Sequence, residues 1–129
     1  MIATTKTPAP SLSPAWLPAV RRDLAGLGLT PEWPCESVAV PGARARRMAE
    51  CSLGRLADFG LRPDRIFPSL AGGVALAFAA GDRYAEVEFL DSGEVLATCS
   101  AADGDGVRVW PVHADLAGTL DRIASFLAG

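Results

Sequence analysis

Residues 74–99 read VALAFAAGDRYAEVEFLDSGEVLATC, and this stretch decides the fold. Val74, Leu76 and Phe78 alternate with alanines, and Ala85, Val87 and Phe89 alternate with Tyr84, Glu86 and Glu88. A period of two puts alternate side chains on opposite faces of a strand. Gly81-Asp82 and Asp91-Ser92-Gly93 are turn-sized breaks between these runs and a third one, Glu94 to Cys99. Short breaks of this kind join antiparallel neighbours. Working outward, Arg65-Ile66-Phe67 is a short run stopped by Pro68, which predicts an edge or lead-in strand before the Gly72-Gly73 turn. Downstream, a loop over Ala101 to Gly106 leads to Val107-Arg108-Val109-Trp110. The whole reads as an antiparallel meander.

Helical spacing flanks it. Before the strands, Trp16, Leu17, Val20, Leu24 and Leu27 recur at helical intervals, with Ser13 as cap, Pro14 as first residue and Gly28 as left-handed stop. A connection over 29–42, rich in Pro and anchored by Trp33, leads to a second helix from about Pro41 to Phe59. Its stripe is Ala45, Met48, Ala49, Ser52, Leu56 and Phe59, Gly60 ends it, and Gly54 inside it marks a close helix contact. A last helix begins at Asp115 and carries Leu116, Leu120, Ile123 and Leu127. The expected fold class is α+β: a flexible tail over 1–12, then a single domain over 13–129. Its order is α-α-β-β-β-β-α, with a meander of three to five strands and the helices on one sheet face.

Composition narrows the class. Of 129 residues, 50% are hydrophobic and 21% charged, with a formal net charge of −3. Wholesale disorder needs the opposite balance. The longest apolar run, Val74 to Ala80, is too short for a membrane span, and the Thr/Pro-rich start does not resemble a secretory signal. Three widely spaced thiols, Cys35, Cys51 and Cys99, make a disulfide framework improbable and fit a reducing cytoplasm. With His113 they could assemble a zinc site only by convergence of four distant segments. Lys6 is the sole lysine, so no phosphate-binding Gly-Lys-Ser/Thr loop exists. No cofactor is expected.

Trp33 in its Pro/Gly-rich connection, the alanine-bearing helix, Pro63, Pro68, Gly72-Gly73, Val74-Ala75-Leu76 and Glu86-Val87-Glu88-Phe89 together resemble a group of small bacterial α+β proteins. These have a tryptophan loop, a helix and a Pro…Pro…Gly-Gly strand pair, and the resemblance spans residues 30–99. The chain has Pro34-Cys35-Glu36 after Trp33, where that group prefers Asp-Gly, and Phe78 where a tryptophan is usual. The resemblance implies an accessory product of a defence-type or mobile gene neighbourhood and carries no activity.

Several constellations have both a chemical and a plain reading. Cys99 and His113 could pair as nucleophile and base, but no third orienting group or nucleophile elbow accompanies them, and an inward thiol on a strand is a small hydrophobe. Asp103-Gly104-Asp105-Gly106 starts like a calcium loop but lacks its distal ligands, so a polar turn is expected. Glu86 and Glu88 share a strand face, as glycosidase carboxylates could, yet a solvated face demands such residues anyway.

Charge is distributed unevenly. Residues 1–68 hold nine basic and six acidic groups, and residues 69–129 three and nine. The excess includes Arg44, Arg46, Arg47, Arg55, Arg62 and Arg65, on or just after the second helix. It reads either as a face for an acidic partner or as a solvated stripe with Arg47–Glu50 and Arg55–Asp58 pairs. An excess of +3 is thin for nucleic acid.

If Val74, Leu76, Phe78, Val87 and Phe89 face the helices, then Ala75, Ala77, Tyr84, Leu96 and Trp110 share the other side with Glu86, Glu88 and Arg108. Tyr, Trp and Arg on one flat surface resemble an interaction patch. The expectation is therefore a non-catalytic protein-binding module: an accessory subunit, or an antitoxin-like neutraliser or adaptor of a larger protein. It would bind through Tyr84, Glu86, Glu88, Arg108 and Trp110 or through Arg44, Arg47 and Arg55. A larger protein is the expected partner, nucleic acid and membrane are not, and a homodimer through the sheet stays open. The alternative is a small enzyme or ligand-binding domain using Cys99, His113 and nearby carboxylates.

Overall fold

A computed structural model of the chain describes residues 14–27, 40–69, 72–102, 106–113 and 115–129. The tail, Ser13, Gly28, Trp33, Cys35 and Asp103 to Asp105 lie outside them. Helix α1 (Leu17–Ala25) is followed by α2 (Ala43–Asp58), strands β1 (Arg65–Pro68), β2 (Val74–Ala80), β3 (Arg83–Phe89), β4 (Val95–Ala101) and β5 (Val107–Val112), and helix α3 (Leu116–Ala128). The five strands form one antiparallel sheet in sequential order. The α+β meander is as expected, with one strand more than the four in the expected order.

Helix α1 starts later than its apolar spacing predicts. Starting at Pro14 would bury Pro18 in the helix interior, where its missing N–H and its ring conflict with the carbonyl four residues back. Beginning after Trp16 instead puts Pro18 in the first turn, where no donor is needed. Helix α2 closes as expected. The Gly60 N–H donates to the Ala57 carbonyl at 3.0 Å and the Leu61 N–H to the Leu56 carbonyl at 2.9 Å, with Gly60 at φ +69°. This paired-bond ending tucks Leu61 into the core. At the head of α3, Asp115 accepts from the Gly118 N–H at 2.9 Å. Gly54 departs from expectation: it is exposed, and an added Cβ there would touch nothing.

Strand register sorts the sheet into two faces. Leu76 lies opposite Val87, Val87 opposite Ala97, and Ala97 opposite Trp110. This inner face carries the core, together with Leu53 and Leu56 of α2 and Leu120 and Ile123 of α3. Both helices thus cover one side, and α1 packs outside α2. There Arg21 pairs with Glu50 at 3.0 Å, and the Arg46 guanidinium donates to the carbonyls of Leu24 and Ala25 at the end of α1 and of Leu27 just after it.

The register corrects one expectation about the candidate surface. Arg108 lies opposite buried Cys99 and Trp110 opposite buried Ala97, so both project to the helix side, away from Tyr84, Glu86 and Glu88. Val112, which shares their parity, is buried, while Val107 and Val109 face outward at 65% and 60% exposure. Trp110 is half-buried under the Arg122 guanidinium of α3, 4.0 Å from the ring centre. A strand ended at Trp110 conceals Val112, the residue whose burial sets which parity turns inward.

Candidate functional site

The basic residues of α2 separate by function. Arg46 is spent on the end of α1. Arg44 lies over the β3–β4 turn, donating a guanidinium N–H to the Ser92 carbonyl at 3.1 Å, while its backbone N–H donates to Asp91 at 3.0 Å. Arg47 and Arg55 are exposed, and no ion pair among the described residues holds either one. The expected Arg47–Glu50 pair is absent there because Glu50 reaches across to Arg21.

Arg44, Arg47, Cys51 and Arg55 lie on one side of α2, together with Met48 and Ser52. These positions follow the three- and four-residue steps of a helix face. They form one wall of an open groove of about 680 Å3. Phe89 at the end of β3, Val95 at the start of β4 and Leu116 at the head of α3 supply the rest. Among the described residues, every charged group lining it is an arginine, and the remaining lining is apolar apart from the Cys51 thiol and Ser52. The Ser52 hydroxyl is buried and donates to the Ala49 carbonyl at 2.7 Å. The result is a hydrophobic trough edged with cations, suited to an anionic group attached to an apolar body.

The opposite sheet face carries Tyr84, Glu86 and Glu88. The Tyr84 hydroxyl donates to Glu86 at 2.7 Å. Burial, then this hydrogen bond and the Glu86 charge, pushes the phenol up to about 12. Leu96 lies opposite Glu88 and Val109 opposite Thr98, so the face turns apolar toward β5. At the other edge the Arg65 guanidinium stacks 5.1 Å from the Phe67 ring centre.

Cys99 and His113 are not brought together. Cys99 lies opposite Arg108, whereas His113 follows Val112, which lies opposite Val95. Four residues of strand separate the two places, about 13 Å. Burial also pushes the Cys99 thiol up, away from the thiolate a nucleophile requires.

Of the sequence candidates, the structure gathers Arg44, Arg47 and Arg55 in one groove and Tyr84, Glu86 and Glu88 on another face; Trp110 and Arg108 join neither. The apolar floor of Phe89, Val95 and Leu116 escapes sequence reasoning because each residue reads simply as core. No family model, curated protein or solved structure matches this chain. No described helix is long and apolar enough to cross a membrane.

Proposed function

We propose that this chain is a non-catalytic protein-binding module, an accessory subunit or antitoxin-like neutraliser of a larger protein, with the arginine-edged groove as its docking surface. The observation that carries this reading is the position of Arg47 and Arg55, exposed beside an apolar floor and unpaired among the described residues. Interfaces are built from such apolar centres with arginine anchors. The distance between Cys99 and His113 favours this reading over one in which the two act as nucleophile and base. The thiol pattern fits work in a reducing cytoplasm.

The test is native mass measurement of the protein purified from the cells that make it. A stoichiometric protein partner, retained through gel filtration, supports the module. A clean monomer carrying a bound small molecule overturns it.

A further inference from the structure

The positions of Arg47 and Arg55, unpaired among the described residues, bear on what the groove holds. We infer that it takes an extended acidic segment of the partner protein, in which two carboxylates four residues apart flank a central apolar side chain. This rests on the binding-module reading above. Arg47 and Arg55 are eight residues apart on α2, about 12 Å along the helix axis. In an extended chain, side chains four residues apart project from the same face about 13 Å from each other, and the one midway projects with them. A segment of the form acidic-x-apolar-x-acidic therefore sets one carboxylate at each guanidinium. Its central side chain rests on the floor of Met48, Phe89, Val95 and Leu116. Arg44 is held by the Ser92 carbonyl and keeps the end of the groove positive.

Charge excludes the opposite ligand, since no carboxylate among the described residues lines the groove. Nucleic acid fits less well. A single-stranded binder offers aromatic faces for base stacking, and the one aromatic residue lining the groove among the described residues, Phe89, is buried in the core.

The experiment uses the full chain carrying Cys35→Ser and a fluorescein-labelled peptide, Glu-Ser-Leu-Ser-Glu, followed by fluorescence anisotropy. Binding is expected, weakened about tenfold by Arg47→Gln or Arg55→Gln and about tenfold by salt. The Lys-Ser-Leu-Ser-Lys peptide is expected not to bind. Bound peptide should also slow alkylation of Cys51 by N-ethylmaleimide, and the lysine peptide at the same concentration should not. Circular dichroism of each variant establishes that it is folded. Absence of binding at about 1 mM peptide, equal affinity for the lysine peptide, or tighter binding of labelled oligo-dT overturns the inference. A native partner held equally well by the wild type and by the Arg47→Gln/Arg55→Gln protein overturns it too, while leaving the module reading intact.

Discussion

Asp91, in the turn between β3 and β4, caps helix α2: its Oδ1 accepts the Arg44 backbone N–H at 3.0 Å and the Ala45 N–H at 3.1 Å. The residue at the cap position, Gly42, has no side chain to do this. A Cβ on Gly42 would lie 2.3 Å from the Asp91 carboxylate, so the glycine makes room for a cap delivered from another element. The same turn receives the Arg44 guanidinium through Ser92, so one loop holds both the start of α2 and one end of the groove.

Asp91→Ala should therefore lower stability by about 1–2 kcal/mol, the usual cost of losing a helix cap. Urea unfolding followed by circular dichroism measures it. Ser92→Ala, which keeps the carbonyl, should lie within about 0.5 kcal/mol of wild type.

Gly54 is exposed inside α2 and an added methyl group there meets nothing. Gly54→Ala should raise stability by about 0.5–1 kcal/mol, through helix propensity and a less flexible unfolded chain. The same urea titration shows it as a higher midpoint with an unchanged slope.

Tyr84 is the chain's single tyrosine, so alkaline phenolate absorbance reports on it alone. The folded protein should titrate near 12 and the urea-unfolded protein near the ordinary 10.0. A folded pKa above the unfolded one means that the native state holds the proton more tightly. The stability this contributes is complete below pH 10 and is lost as the pH rises from there through 12. Glu86→Gln should move the folded midpoint part of the way back, because burial, the largest cause, remains.

The two thiols in described parts of the chain should differ in reactivity. In a Cys35→Ser background, Cys51, exposed beside the groove, should react at once with a thiol reagent. Cys99, buried with its pKa pushed up, should react only as the protein unfolds. Mass spectrometry of the labelled protein counts the modified sites before and after denaturant.

Arg122 and Arg83 tie α3 to the sheet, the first over Trp110 and the second 5.0 Å from the Phe126 ring centre, with a hydrogen bond to the Phe126 carbonyl at 3.0 Å. Arg122→Gln should cost about 0.5–1 kcal/mol. Thermal unfolding checks this, with a lower midpoint expected.

Much of this architecture is local and was legible as such. The alternation over 74–99, the glycine and aspartate turns, the stop at Gly60 and the cap at Asp115 each concern neighbours within a few residues, where periodicity and turn chemistry act directly. The start of α1 is equally local, but its apolar spacing conceals the competing demand of Pro18.

The sheet face of β5 and the composition of the groove depended on more distant contacts. Val107-Arg108-Val109-Trp110 alternates convincingly in either orientation; burial of Val112 and stacking of Arg122 on Trp110 decide between them. Likewise α2 displays six arginines on or near it, and their spacing alone does not distinguish a cap for α1, a clamp on a turn and a binding wall. By itself the sequence determined the elements, their order and the antiparallel meander, because hydrogen-bond geometry and side-chain period are short-range constraints. Which arginines remain for a partner was decided only when elements far apart in the chain came together, since a guanidinium is committed by whichever carbonyl or carboxylate the fold places beside it.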